Sequence, residues 1–296
     1  MKEEFKGIFS ALLTAFGKDG DFCEEAQRDM MRYERTTGIA GFYVGGSTGE
    51  AFLLSPEERE RLYTVCAEEL GDKTGIAHIG ALSTREAVRW AKLCESLGYK
   101  AVSSVTPFYY KFSTDEMIGY YRAIADAVDV PVLLYHIPVL TGGGYERRLF
   151  DELLRDGRVL GVKYTSSDYF TFERLRREYP DKILYNGFDE TCLCGLAMGA
   201  DGAIGSTYNV LGERFVKLYS LVEDGDLKAA ARLQHGLNDL IAFLLKAGDV
   251  KAAVKYVMKA KNGIDAGICR APGGDVPEEW KREYEREYAE RFAQGN

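Results

Sequence analysis

One lysine of this sequence occupies a position at which amines become reactive. Lys163 directly follows residues 159–162, Val-Leu-Gly-Val, a short apolar run typical of a buried β-strand. Burial disfavours the ammonium form of a lysine, and the neutral amine can attack a carbonyl group to form a Schiff base. The alternative is a lysine that reaches solvent from the strand end or pairs with a carboxylate, and this feature taken alone favours that alternative.

A tyrosine stands near the end of the preceding apolar run. Residues 131–137 read PVLLYHI and contain Tyr135. Because consecutive strands of a parallel sheet are usually neighbours, we expect Tyr135 and Lys163 to lie within reach of each other. A phenol can transfer protons to and from a substrate hydroxyl. The alternative is a tyrosine of the core or the rim, which is the commoner role for any of the 19 tyrosines.

A glycine-rich turn offers donors for an anion. Residues 45–50 read GGSTGE, so several backbone N–H groups and the hydroxyls of Ser47 and Thr48 share one tight turn. Such a turn can hold a carboxylate or a phosphate. It lacks the Gly-Lys-Ser/Thr of a P-loop, which argues against nucleotide binding, and an ordinary glycine turn is the alternative.

Two acidic residues, Asp189 and Glu190, follow another apolar run. Metal binding is one interpretation, but the three histidines at 78, 136 and 235 are scattered and show no ligand spacing. We therefore predict no metal site and expect the carboxylates to bind a polyhydroxylated substrate. The alternative is a solvated helix N-terminus, where carboxylates are favourable in any case.

These candidates need a scaffold that brings the ends of several strands together. Eight apolar runs recur at a spacing of about 30 residues, as expected of successive βα units. They do not alternate with polar residues, which is typical of parallel strands covered on both faces. The runs are 7–14, 40–46, 75–80, 100–106, 131–137, 158–164, 182–187 and 201–206.

Helix-start signals separate the runs. Ser55, Ser83 and Ser113 are each followed three residues later by Glu, which is the capping-box pattern. The alternation predicts the α/β class and a (β/α)8 TIM barrel with its active site at the carboxyl ends of the strands. A doubly wound sheet is the rival fold, but residues 13–16 lack the glycine-rich turn that usually follows its first strand.

The last third of the chain shows no convincing strand. Helices are predicted over 212–222, 226–246, 250–262 and 277–292, and no linker sets them apart. We expect residues 1–208 to hold the barrel strands and catalytic face, and residues 209–296 to form the last barrel helix and a C-terminal helical extension of the same domain. The last helix carries aromatic residues at i, i+4 spacing, so we expect it to dock on the body of the protein or on a neighbour.

The composition limits the kinds of molecule that this chain is expected to bind. The chain has 296 residues and a formal net charge of -8, which disfavours nucleic acid and anionic membranes but leaves a small anionic substrate open. The longest apolar run is too short to span a bilayer, and the N-terminus lacks a signal-peptide core. The six cysteines form no CxxC pair. We therefore expect reduced thiols and a cytoplasmic location.

Taken together, the strand-end segments resemble the dihydrodipicolinate synthase and N-acetylneuraminate lyase family of pyruvate-dependent class I aldolases. The matching pieces are residues 45–50, 135–138 and 161–163, and the resemblance extends over nearly the whole chain. It implies Lys163 as the Schiff-base nucleophile, Tyr135 as the proton-transfer group, and no metal or organic cofactor. It also implies a substrate carboxylate held at Ser47 and Thr48, and a homotetramer in which Tyr109 reaches a neighbour's site. The residues that it implies for binding a sugar are Thr165, Gly187, Asp189, Glu190 and Ser206.

Within this family the lyase branch fits best. Residues 46–52, 105–110, 184–190 and 204–209 look like lyase segments, and Leu140 stands where the synthases place an arginine that grips an acidic aldehyde. The implied reaction is cleavage of sialic acid to N-acetylmannosamine and pyruvate. The alternatives are a related aldolase or synthase that acts on another aldehyde, such as a sugar-acid or dihydrodipicolinate-type substrate, and a non-catalytic barrel that binds a keto acid.

Overall fold

A computed structural model describes residues 3–144 and 146–294 of the chain. Eight parallel strands close into a barrel in which each strand pairs with the next and the last pairs with the first, which confirms the predicted TIM barrel. All eight predicted runs contain a strand. The strands are β1 (Gly7–Ala11), β2 (Gly41–Val44), β3 (Thr74–His78), β4 (Ala101–Val105), β5 (Val132–His136), β6 (Val159–Tyr164), β7 (Ile183–Asn186) and β8 (Gly202–Gly205).

Helices connect the strands and cover the outside of the barrel. The predicted capping serines Ser55, Ser83 and Ser113 each accept a hydrogen bond from the backbone N–H three residues later, as their spacing indicated. Up to β8 the helices are α1 (Glu24–Arg35), α2 (Pro56–Glu69), α3 (Thr84–Ser96), α4 (Thr114–Ala125), α5 (Pro138–Thr141), α6 (Arg147–Leu154), α7 (Tyr169–Glu178) and α8 (Cys192–Ala197).

The residues after β8 are helical, as predicted. They form α9 (Tyr208–Glu223), α10 (Leu227–Leu245), α11 (Val250–Asn262), α12 (Glu278–Glu283) and α13 (Ala289–Ala293), and a π-helical segment, Tyr284–Tyr288, joins the last two. No helix in 3–144 or 146–294 is long and apolar enough to cross a membrane.

The last helical segment docks on α10 through its aromatic residues. The Trp280 ring stacks on Phe243 with 4.5 Å between the ring centroids, and the Trp280 indole N–H donates to the Phe243 carbonyl at 3.0 Å. The Tyr288 ring stacks on the same phenylalanine at 3.7 Å. These contacts confirm that the stripe at i, i+4 spacing packs on the body of the protein.

The inside of the barrel has its own core. Side chains of alternate strand residues, including Phe9, Tyr43 and Tyr185, fill the interior below the carboxyl ends of the strands. Glycines allow this close packing of side chains and strands. A Cβ at Gly41 would lie 2.4 Å from the Phe9 ring, and one at Gly161 would lie 1.8 Å from the Ile183 carbonyl oxygen of the neighbouring strand. The packed interior gives the strand ends above it a rigid base.

One carboxyl group is buried between the barrel and α1 without an ion-pair partner in the described part of the chain. Glu34 is fully buried, and neither of its side-chain oxygens has a hydrogen-bond partner among the residues that the structure describes. Burial raises the pKa of Glu34 to about 8, against a smaller opposing effect of the nearby Ser10 hydroxyl. At neutral pH the folded protein therefore holds this group protonated.

We expect Glu34→Gln to stabilise the protein at neutral pH. The unfolded chain releases this proton near pH 4.5, whereas the folded protein keeps it to about pH 8, so the free energy of unfolding contributed by Glu34 falls as the pH rises between these values. The variant removes this loss and should gain on the order of 1–3 kcal/mol at pH 7, and less near pH 5. Urea unfolding across this pH range measures it. Glu25→Gln, at an exposed position of α1, serves as the control, and an equal pH dependence in wild type and Glu34→Gln contradicts the prediction.

Candidate active site

The register of β5 and β6 places Tyr135 directly beside Lys163. Partners in a parallel ladder point to the same face, and both side chains point into the mouth of the barrel, where each is 4% exposed. The Lys163 Nζ lies 4.0 Å from the centroid of the Tyr135 ring and 4.4 Å from that of Tyr43. The structure thus brings together the amine and the phenol that the sequence nominated.

The two buried lysines of the described chain differ in their partners. Lys255 forms an ion pair with Glu50 at 2.9 Å, and burial is the main cause that lowers its pKa. Lys163 forms no ion pair within residues 3–144 and 146–294, and aromatic faces surround its nitrogen instead. The Lys163 nitrogen is therefore not engaged by a carboxylate of the described chain.

Two residues that the sequence analysis did not single out support this pair. The Tyr43 hydroxyl is hydrogen-bonded to the Ser103 hydroxyl at 2.9 Å, and the Tyr43 ring packs edge-on against Tyr135. The His78 ring packs edge-on against Tyr135 with 5.9 Å between the centroids. Since His78 ends β3, its position at a strand end was the signal that could have identified it.

His78 also connects the phenol to the glycine-rich turn. Its Nδ1 lies 2.8 Å from the Gly45 carbonyl oxygen, so this nitrogen carries the proton and donates it. Burial, with a smaller contribution from Arg59, lowers the pKa of His78 to about 3. The ring is therefore neutral at neutral pH, and it positions the backbone of the turn without placing a second cation beside Lys163.

Hydroxyl groups tie the glycine-rich turn to the strands around it. The Thr48 hydroxyl donates to the Ser206 hydroxyl at 3.1 Å, and the Thr14 hydroxyl donates to the Gly49 carbonyl at 2.6 Å. Ser47 is half-buried, and Gly45 has a φ of 69°, in the region that favours glycine. Thr48 and Ser206 are therefore in contact, although they are 158 residues apart in the sequence.

Glu50 anchors the end of this turn to the C-terminal helices. Its carboxylate is almost completely buried, accepts from the Lys255 ammonium and accepts from the Arg270 backbone N–H, each at 2.9 Å. Glu50 is also the one non-glycine residue of the described chain with a positive φ, at 54°. A conformation this uncommon persists where its surroundings hold it in place, and here the buried ion pair does so.

Residues at the ends of β6, β7 and β8, including Thr165, Gly187 and Asp189, form one side of the barrel mouth, which we call the polar wall. The Thr165 hydroxyl is buried and has no hydrogen-bond partner in the described residues. It abuts Gly187, where a Cβ would lie only 1.9 Å from the Thr165 Oγ1. The missing side chain at Gly187 therefore leaves the space that this hydroxyl occupies.

Asp189 supplies the carboxylate of the polar wall. Its Oδ2 accepts from the Thr207 backbone N–H at 2.8 Å and from the Thr207 hydroxyl at 2.7 Å. Burial raises the pKa of Asp189 to about 6, although the Thr207 hydrogen bonds and the Lys163 charge oppose the rise. Above that pH the carboxylate can accept hydrogen bonds from substrate hydroxyls.

Two predicted site residues lie on the surface of the chain. Glu190 is exposed, and its backbone carbonyl accepts from the Asn238 amide of α10 at 3.0 Å. Tyr109 is 74% exposed and packs edge-on against Tyr110 at 5.0 Å. Neither is brought into the buried centre around Lys163, so Tyr109 has no contact with that centre within one chain.

The opposite wall of the mouth is mainly apolar. It borders a cavity of about 300 Å³ that Ser47 shares with Phe52, Phe108, Ile137 and Leu140; Lys251, which is paired with Asp249, also lines it. Leu140 lies on the one-turn helix α5 and is 59% exposed. By the resemblance noted above, the synthases have an arginine at this position. In this chain the mouth therefore presents an alkyl side chain there. No group of three potential metal ligands lies together in the described part of the chain.

Comparison with known proteins fits this geometry. The family model of the dihydrodipicolinate synthetase family matches residues 4–290. The chain belongs to this family. The resemblance drawn from its strand-end motifs is therefore confirmed.

Several of the family members that are similar to this chain are lyases. The N-acetylneuraminate lyase of Clostridium perfringens is 42% identical over 276 residues, which are 93% of this chain and 95% of that protein. Two solved structures match over nearly their full length. CdNal from Clostridium difficile, in complex with mannosamine, has a TM-score of 0.92 at 38% identity and 97% and 98% coverage of the two chains. The N-acetylneuraminate lyase of Fusobacterium nucleatum, complexed with pyruvate, has a TM-score of 0.92 at 37% identity and 98% coverage of both chains.

The buried ion pair at the end of the turn leads to a prediction about stability. Lys255→Met leaves the Glu50 carboxylate buried without its cation and should lower the free energy of unfolding by about 3–5 kcal/mol. The double variant with Glu50→Gln should recover most of this loss, because it removes the uncompensated charge. The control is Lys259→Met. Lys259 lies on the same helix as Lys255, and its exposed pair with Asp265 should contribute less than about 1 kcal/mol to the free energy of unfolding. Urea unfolding that gives Lys255→Met and Lys259→Met the same midpoint contradicts the prediction.

Proposed function

We propose that this chain is a Schiff-base aldolase that cleaves N-acetylneuraminate to N-acetylmannosamine and pyruvate. The observation that carries the proposal is the Lys163 amine, buried without an ion-pair partner in the described chain and 4.0 Å from the Tyr135 ring centroid. The names of the relatives support N-acetylneuraminate as the substrate. So do the ligands of two similar structures, pyruvate and mannosamine, which resemble the two halves of the substrate.

Lys163 would carry the covalent chemistry. Its neutral amine attacks the C2 ketone of open-chain N-acetylneuraminate, and loss of water gives an iminium. When the C4 hydroxyl loses its proton, the C3–C4 bond breaks, and its electron pair moves into the iminium to form an enamine. N-acetylmannosamine leaves as the aldehyde. Protonation and hydrolysis of the enamine then release pyruvate and regenerate the amine.

Tyr135 would move the protons that these steps require. Its phenol, beside the amine, delivers a proton to the departing water and takes part in removing the proton from the C4 hydroxyl. The arrangement of Tyr43 and His78 around the ring holds it in place. Every step uses groups of the chain and the substrate, so the proposed mechanism requires no metal or organic cofactor.

The glycine-rich turn and the polar wall would divide the substrate between them. Ser47, Thr48 and backbone N–H groups of the glycine-rich turn hold the substrate carboxylate. Residues of the polar wall bind the hydroxyl groups of the sugar, and Asp189 accepts from them once it is ionised. The other sugar-binding residues in this proposal are Thr165, Gly187, Glu190 and Ser206.

We further propose that the protein is a cytoplasmic homotetramer. The exposed aromatic rings of Tyr109, Tyr110 and Phe112 contact one another and support an interface there, because a contiguous exposed apolar patch is typical of an interaction surface. In the assembly Tyr109 would reach the site of a neighbouring chain. Sedimentation velocity measures the assembly directly.

Trapping with borohydride tests the covalent step. When the protein is incubated with pyruvate and reduced, we expect a three-carbon unit on Lys163, located by peptide mass spectrometry, because the imine nitrogen becomes a stable secondary amine. The buried Lys255 is an internal control and should stay unmodified, since its nitrogen is engaged by Glu50. Unmodified Lys163 in folded, active protein would refute the mechanism.

A coupled pyruvate-release assay tests the substrate. We expect release from N-acetylneuraminate in preference to other 2-keto acids, and loss of release in Lys163→Ala by at least about three orders of magnitude. The second candidate is a related aldolase acting on another aldehyde. The alkyl side chain of Leu140 disfavours an aldehyde that bears its own carboxylate at that end of the mouth. Faster release from another keto acid would favour the second candidate and keep the Schiff-base step.

A further inference from the structure

A second polar pocket lies between the C-terminal helices, and none of its residues lines the barrel mouth. It has a volume of about 280 Å³ and is lined by arginines from three helices: Arg214 of α9, Arg232 of α10 and Arg291 of α13. The whole chain has a net charge of -8, so a pocket lined by three arginines departs from the rest of the molecule.

The carboxylates of the described chain neutralise only part of this charge. Arg291 pairs with Asp239 at 3.3 Å. Arg232 forms no ion pair or hydrogen bond within 3–144 and 146–294. Arg214 is half-buried and is held by backbone carbonyls, including that of Arg291 at 2.6 Å, while Glu213, its neighbour in the chain, is exposed.

Arg214 is the fixed cation of the pocket. Burial is the main cause that lowers its pKa; the Glu213 carboxylate opposes this shift, and the Arg291 charge adds a smaller lowering effect. Lys261 donates to the Val210 carbonyl, and burial lowers its pKa, again against Glu213 and with a smaller contribution from Arg214. Positive charges that repel one another gain stability when an anion binds between them.

A glycine in the middle of a long helix is the second, independent observation. Gly236 lies on α10, a helix of 19 residues, and lines the pocket one turn after Arg232. A glycine inside a helix costs about 1 kcal/mol relative to alanine. Gly236 is exposed, and a Cβ at this position would meet nothing within 4 Å, so the surface beside the arginines is open here.

The helix that carries this space is fixed on its other side. The Gln234 amide donates to the Asp189 carbonyl at 3.2 Å, and the Asn238 amide donates to the Glu190 carbonyl. Arg232 and Gly236 are therefore presented from a rigid element, which lowers the cost of ordering a binding site.

We propose that this pocket binds a small oxyanion, a phosphate or carboxylate group held by Arg214, Arg232 and Arg291. Guanidinium groups suit both anions, since their N–H pairs match two oxygens at once. The proposal does not depend on the reaction at Lys163.

Calorimetric titration with inorganic phosphate, and in a parallel arm with succinate, tests the proposal at an ionic strength held constant with NaCl. We expect saturable binding of at least one anion with a Kd below about 10 mM, and the preferred anion identifies the group that the pocket takes. Binding that neither of the two pocket variants described next weakens belongs elsewhere, for example to the glycine-rich turn of the barrel mouth.

Two variants locate the anion. Gly236→Gln keeps every charge and fills the open space, and Arg232→Gln removes one exposed cation; each should weaken binding at least about tenfold. Arg282→Gln removes an exposed arginine of α12 outside the pocket and should bind like wild type. Thermal unfolding verifies that each variant is folded. The proposal is overturned if neither anion binds saturably to wild type, or if Gly236→Gln and Arg232→Gln both bind as tightly as wild type.

Discussion

A buried amine without a counter-ion in the described chain is the constraint around which the barrel mouth is organised. Burying a cation is costly unless a carboxylate pairs with it. The neighbours of the Lys163 nitrogen are instead the rings of Tyr43 and Tyr135. The neighbouring groups fit this constraint. His78 stays neutral, so it does not add a second charge, and the Arg59 guanidinium is directed at backbone carbonyls, including that of His78. The Lys163 nitrogen is thus buried among aromatic rings and is not engaged by a carboxylate of the described chain.

The elements that position this amine follow from local sequence patterns. The apolar runs identified every strand, because parallel strands covered on both faces are recognisable without knowledge of their partners. Serines with a glutamate three residues on located the starts of three helices. The pairing of Tyr135 with Lys163 followed from strand order alone, since consecutive strands are adjacent in a barrel.

Contacts between distant parts of the chain were beyond the reach of such patterns. Glu50 and Lys255 are 205 residues apart, and neither residue carries a local sign of the other. The role of His78 depends on a carbonyl in a different loop, at Gly45. The exposure of Tyr109 and Glu190 likewise depends on how the loops leave the barrel, which spacing along the sequence does not specify.

The ion pair between Glu50 and Lys255 has a consequence for the order in which the protein matures. The turn that offers Ser47 and Thr48 is synthesised about 205 residues before the cation that fixes its last residue. A nascent chain that already contains all eight strands and Lys163 still lacks this anchor. The turn is therefore expected to reach its final conformation only after α11 has emerged from the ribosome and packed.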